Sequence, residues 1–137
     1  MTLILDSSGI IALLDQSQDD HLQCVEAASG HDELVVPMLT LVEVDYWCRK
    51  AAIAAAFATF VADIRRGTYQ LESVDAPDAV RCVELAETYA DLDLGIVDAS
   101  VIALAERLGV TEVLTLDRRD FSVVRPRHCA SLTLLPA

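Results

Sequence analysis

Thr2-Leu3-Ile4-Leu5-Asp6-Ser7-Ser8-Gly9-Ile10-Ile11-Ala12-Leu13-Leu14 is the stretch on which the reading of this chain turns. A short apolar run stops at an acid, two small hydroxyl residues and a glycine follow, and a second apolar run begins. The pattern predicts a buried strand over Thr2 to Leu5, a turn carrying capping side chains, and a helix from Ile10 onward. Near its other end the chain repeats the device: Glu112 to Leu116 reads as a strand ending at Asp117.

Between these two, apolar strands alternate with helical segments. Asp19 to Ala28 has helical spacing, and Leu34-Val35-Val36 is a short strand closed by Pro37. Helices are expected from Leu39 to Arg49 and from Ala51 to Arg66, the second stopped by Gly67. Tyr69 to Val74 reads as a strand, and Pro77 sits at the first turn of a helix reaching about Tyr89. Ile96 to Leu108 is a helix ended by Gly109, and Leu132 to Leu135 is a last strand. Strands buried on both faces and alternating with helices indicate an α/β fold, with a parallel sheet covered on both sides. At 137 residues, without repeats or a linker, the chain is read as one domain.

Composition removes several classes. Hydrophobic residues make up 53% of the chain, ample for a core. The most apolar stretch, Ala51 to Ala62, is too short to span a bilayer and contains Thr59, and the first residues lack a basic, apolar leader. A cytoplasmic protein with no membrane partner is expected. Cys24, Cys48, Cys82 and Cys129 lie far apart and read as reduced thiols; His128 beside Cys129 is thin evidence for a soft metal. Lys50 is the only lysine, which excludes phosphate-binding loops and Schiff-base enzymes that need one at a set position. The net charge of −12 opposes broad electrostatic binding of nucleic acid, although metal-dependent phosphodiester chemistry itself demands concentrated acid.

Four acids stand out. Asp6 and Asp117 follow strands, where α/β sheets bind ligands, yet each singly also reads as the cap of the next helix. Asp98 is spaced to lie with Leu94, Val101 and Ile102 on the apolar face of its helix, and Glu43 to lie beside Leu39, Tyr46 and Trp47. An arginine partner would account for either one alone. With a single lysine in the chain, buried basic partners are too few for all four, and unpaired carboxylates brought together would raise one another's pKa. A hard cation resolves this, and oxygen-only ligands favour Mg2+, with Mn2+ a substitute, over zinc.

On these residues the sequence resembles the PIN-domain ribonucleases, and within them the VapC-type toxins of type II toxin–antitoxin systems. The likeness rests on Asp6 and Ser8 in Leu-Asp-Ser-Ser-Gly, and on Glu43 in Leu-Val-Glu-Val. It continues with Leu94, Asp98 and Ala99 in Leu-Gly-Ile-Val-Asp-Ala, then Thr115, Asp117 and Phe121 in Thr-Leu-Asp-Arg-Arg-Asp-Phe, and spans Leu3 to Pro126. It implies a PIN fold over residues 1–137. It further implies a magnesium-dependent endoribonuclease toxin with Asp6, Glu43, Asp98 and Asp117 as catalytic acids. Asp6, Asp98 and Asp117 would be metal ligands, with Ser8 organising the site. Asp93 is an additional acid that competes for the third position; Asp98 is preferred because Ala99 follows it and because it faces inward.

Arg118, Arg119, Arg125 and Arg127 are four of the ten basic residues and are read either as holding RNA phosphates beside Asp117 or as a solvated loop. The resemblance also implies a VapB-type antitoxin and a homodimer. The apolar helix through Ile53, Phe57 and Phe60 offers a groove for a partner helix, or simply packs inside the monomer. Two rival functions remain: a non-catalytic PIN module that binds proteins, and a magnesium-dependent phosphatase of small molecules. The phosphatase would want Asp-x-Asp where this chain has Asp6-Ser7-Ser8.

Overall fold

The computed structural model describes residues 1–137. Five strands, β1 (Thr2–Leu5), β2 (Glu33–Pro37), β3 (Gln70–Glu72), β4 (Glu112–Leu114) and β5 (Thr133–Leu135), form one sheet in the order β3-β2-β1-β4-β5. Every pairing is parallel. β1 is central, with Ile4 opposite Val35 of β2 on one side and Val113 of β4 on the other.

Seven α-helices cover the sheet: α1 (Ser7–Leu14), α2 (His21–Ser29), α3 (Thr40–Lys50), α4 (Ala54–Arg66), α5 (Ala76–Thr88), α6 (Ile96–Leu108) and α7 (Arg118–Val123). Alternation along β1 divides the core in two. Leu3 and Leu5 face a cluster with Ile10, Cys24, Val44, Cys48 and Phe60, supplied by α1 to α4. Ile4 faces the opposite cluster with Cys82, Leu85, Val101, Ile102 and Phe121, supplied by α5 to α7. No helix is long and apolar enough to cross a membrane.

The chain order places a topological switch at β1. It moves outward through β2 and β3, then returns to the other side of β1 as β4 and β5. In a parallel sheet each helix that follows a strand starts at the sheet's carboxyl edge, and the switch point there is where a crevice opens. The N-termini of α1 and α7, immediately after β1 and β4, therefore meet at this edge. Their closeness is extreme at Gly9: a β-carbon there would lie 2.5 Å from the Leu114 carbonyl oxygen, so only glycine lets α1 pass the end of β4.

Several boundaries differ from the sequence expectation. Ala51 and Ala52 form a turn, with Ala52 at φ 59°, so the helix expected from Ala51 begins at Ala54. Its apolar residues are largely consumed at home: Phe60 is buried, and Ile53 and Phe57 pack against the same cluster. β4 stops at Leu114; the next residue, Thr115, still donates its N–H to the Leu135 carbonyl at 2.9 Å while its side chain bonds Asp6. Arg118–Val123, read from sequence as a possible loop, is helical, and Ala90–Leu92 forms a 3-10 turn.

Candidate active site

Capping is the ordinary explanation for an acid that starts a helix, and α5 shows what it looks like. The Asp75 side chain accepts from the Asp78 N–H at 3.0 Å, and the Asp78 carboxylate accepts from the Asp75 N–H at 3.2 Å. Asp6 and Asp117 hold the same position ahead of α1 and α7, yet neither side chain caps its helix. Their carboxylates are left for something else.

Asp6 is 3% exposed. Its Oδ2 accepts from Thr115 Oγ1 at 2.8 Å and from Ser8 Oγ at 3.2 Å. Its Oδ1 is buried with no hydrogen-bond partner, a costly state for a carboxylate oxygen unless something else supplies positive charge. Thr115 and Ser8 also lock the strand that follows: Thr115 Oγ1 accepts from the Asp117 N–H at 3.0 Å, and Ser8 Oγ accepts from the Leu116 N–H at 2.9 Å. Two hydroxyls thus fix Asp6 and the Leu116-Asp117 backbone as one unit.

Asp98 enters from the first turn of α6 and is half-buried. Its carboxyl is pushed up to about 7, first by burial and then by the charges of Asp6, Asp117, Glu43 and Asp120. Burial also raises the Asp6 carboxyl, against the opposing hydrogen bond from Thr115. One oxygen each from Asp98, Asp117 and Asp120 lies within 4.8 Å of the others, close enough for a single ion to touch all three. Asp98, Asp117 and Asp120 therefore form one cluster at the sheet edge, and Asp6 and Glu43 lie near enough for their charges to raise the Asp98 carboxyl.

Not every expectation about these residues holds in detail. Glu43 does not lie on the buried face of its helix; Thr40, Val44 and Cys48 do, following an i, i+4 period, while Glu43 and Tyr46 are exposed. Glu43 is directed by a residue the sequence reading passed over: Ser7 Oγ donates to Glu43 Oε1 at 2.6 Å. Asp120, quoted in the motif but given no role, joins Asp98 and Asp117; its place three residues after Asp117, in the first turn of α7, was the available signal. Asp93 is exposed and adopts a left-handed conformation after the 3-10 turn at φ 52°, which makes it a turn residue and not a rival of Asp98.

The four arginines do not act together. Arg118 Nη1 donates to the carbonyls of Pro136 at 2.8 Å and Leu134 at 3.4 Å, tying α7 to the β5 edge. Arg125 folds back onto Ser122, and Arg127 pairs with Glu84 at 3.0 Å. Arg119, its side chain 84% exposed, reaches Asp120 Oδ1 at 3.8 Å beside the acids.

The donor set suits a hard divalent cation. It consists of the carboxylate oxygens of Asp98, Asp117 and Asp120, with no histidine or cysteine in the cluster, and the partnerless Asp6 Oδ1 belongs to an acid whose charge also acts on Asp98.

A family model described as PIN domain matches residues 3–125. Ribonuclease VapC26 of Mycobacterium tuberculosis is 29% identical over 137 residues, 98% of this chain and 100% of that protein. Among solved structures, Mycobacterium tuberculosis VapC20, described as a sarcin-ricin loop cleaving toxin, aligns with a TM-score of 0.76 at 18% identity, covering 85% of this chain and 91% of its own. VapBC2 from Rickettsia felis, bound to a fragment of promoter DNA, aligns at 0.68 and 14% identity, covering 98% and 97% respectively. A toxin–antitoxin complex from Klebsiella pneumoniae aligns at 0.68 and 20% identity, covering 89% and 92%. At these identities the structural likenesses speak for the fold.

Proposed function

Because the chain belongs to the PIN-domain family, matched over residues 3–125, we propose that it is a magnesium-dependent endoribonuclease, a VapC-type toxin restrained by a cognate antitoxin. The observation that carries this reading is the convergence of Asp98, Asp117 and Asp120 within 4.8 Å, beside a buried Asp6 oxygen that no protein donor satisfies. The 29% identity to a ribonuclease along the whole chain supports it.

Asp6, Asp98 and Asp117, joined by Asp120, would hold the divalent ion. When bound, that ion supplies Lewis-acid activation of the scissile phosphate and of the attacking water, and neutralises charge on the leaving oxygen. Thr115 and Ser8 keep Asp6 and the Asp117 backbone in register, so the ligands are pre-positioned. Ser7 holds Oε1 of Glu43 and leaves Oε2 to accept a proton from the incoming water. The water oxygen bonds to phosphorus, the P–O ester bond breaks, and the departing oxygen takes a proton from solvent. Arg119 attracts the flanking phosphates against the chain's negative charge.

The antitoxin reading rests on the toxin–antitoxin complexes among the structural neighbours. It is supported by apolar side chains exposed around Glu43: Met38 at 41%, Val42 at 70% and Tyr46 at 56%. A homodimer remains part of the proposal, and light scattering of the purified chain tests it. The ribonuclease itself is tested by incubating the protein with total RNA, with and without Mg2+. The expected result is metal-dependent cleavage that Asp6→Asn and Asp98→Asn each abolish; full activity in either variant refutes the assignment.

A further inference from the structure

Beside the acids lies a second, differently built cleft. It measures about 400 Å³ and is lined by Asp20 and Gln23 of the α2 N-terminus, Thr115, Leu116, Arg118, and the terminal Pro136 and Ala137. Its floor is the acidic site's own backbone. Thr115 is the residue that bonds Asp6, and Leu116 donates its N–H to Ser8 immediately before Asp117. Whatever occupies this cleft sits one short step from the point where the carboxylates meet.

The polar groups around it are uncommitted. Asp20 stands at the N-cap position of α2 and its carboxylate caps nothing. Gln23 is exposed, with an amide able both to donate and to accept. Arg118 spends only Nη1 on the Leu134 and Pro136 carbonyls, which fixes the guanidinium in place while Nε and Nη2 keep their N–H groups free. A carboxylate, an amide and a pre-oriented guanidinium around a cleft of this size make a hydrogen-bonding frame for one planar heterocycle.

We propose that this cleft is a base-recognition subsite that takes a guanine of the RNA next to the cleaved phosphodiester; this rests on the ribonuclease reading above. Guanine alone among the four bases offers adjacent donors, N1–H and N2–H, to a carboxylate while presenting O6 and N7 as acceptors to an arginine fork. Asp20 receives the donors, Arg118 supplies the fork, and Gln23 closes the edge of the frame. The pocket selects by hydrogen bonds, so a base that leaves the Asp20 carboxylate facing another acceptor is rejected.

The test separates this subsite from the ribonuclease. Wild type with Mg2+ is given a randomised RNA oligonucleotide, and the ends are sequenced. Guanine is enriched at one fixed position relative to the cut, Asp20→Asn reduces that enrichment by at least about fivefold, as expected for loss of one bidentate contact, and Gln23→Ala reduces it by less. Both variants retain the thermal shift produced by Mn2+, showing that the fold and the acid cluster survive. In parallel, guanosine 5′-monophosphate binds metal-free wild type in ligand-observed NMR more tightly than the cytidine, uridine and adenosine monophosphates, and Asp20→Asn removes the difference. Cleavage by wild type without base enrichment, or enrichment unchanged in both variants, overturns the subsite and leaves the ribonuclease standing. No cleavage of any RNA, with guanosine monophosphate still selected, overturns the ribonuclease reading instead.

Discussion

Replacing Asp98 by asparagine should stabilise the metal-free protein while abolishing its response to metal. The Asp98 carboxyl is lifted from the ordinary 3.8 to about 7 by burial and by four neighbouring acids. In a fully desolvated site that displacement corresponds to roughly 4 kcal/mol. Asp98 is only half-buried, so solvent screening reduces it to about 2 kcal/mol. The sign follows from linkage. The folded state binds this proton more tightly than the unfolded state, so stability is fully present below about pH 4 and is lost as pH rises toward about 7. Asparagine carries no charge and escapes this loss. At pH 8 the chelated variant should melt about 5–10 °C above wild type, and its advantage should vanish near pH 4. Mg2+ or Mn2+ should raise the melting point of wild type and leave the variant nearly unmoved. Differential scanning fluorimetry across pH, with EDTA and with metal, measures all of this. A variant that melts at or below wild type at pH 8 refutes the claim that uncompensated carboxylates meet at Asp98.

Other outcomes follow from the same geometry. Thr115→Val removes the hydroxyl that bonds Asp6 and receives the Asp117 N–H, and should cost about 2 kcal/mol in urea unfolding together with most RNA cleavage. Gly9→Ala pushes a methyl group against the Leu114 carbonyl and should cost on the order of 1–3 kcal/mol, read in the same unfolding assay. Arg118 and Arg119, adjacent in sequence, should differ in what they disturb: Arg118→Ala loosens the β5 edge and lowers the melting point along with guanine selection, whereas Arg119→Glu chiefly weakens RNA binding and flattens its salt dependence. Ser7→Ala should lower the cleavage rate by slackening Glu43, and Ser7→Thr should restore it, in single-turnover assays.

The fold was largely open to reading because burial on both faces of a parallel sheet leaves uninterrupted apolar runs, as at Thr2–Leu5 and Glu33–Pro37. The family was legible for a related reason: two of its motifs, at Asp6 and Asp117, follow strands, where local signals are sharp. What stayed hidden was set by contacts across the chain. Glu43 looked inward when judged by its own helix, but Ser7 of a different helix decides where it points. The role of Thr115 depends on Asp6, 109 residues earlier. Asp117 stands just ahead of a helix of only six residues that carries Asp120 and is too short to announce itself by periodicity, so Asp120 was given no role. The arginines, read from sequence either as holding phosphates together or as a solvated loop, take separate partners in the structure: Arg118 the Pro136 carbonyl, Arg125 the Ser122 carbonyl and Arg127 Glu84.

The bond between Asp6 and Thr115 also has a meaning in time. A ribosome making this chain releases Asp6 109 residues ahead of Thr115, and Asp117 and Asp120 later still. Until β4 slots in beside β1, Asp6 has only the neighbouring Ser8 hydroxyl to steady it, and the cluster of Asp98, Asp117 and Asp120 is incomplete. If the proposed ribonuclease reading holds, a growing polypeptide is harmless to the RNA it is being read from, and chains cut short before Thr115 are born inactive.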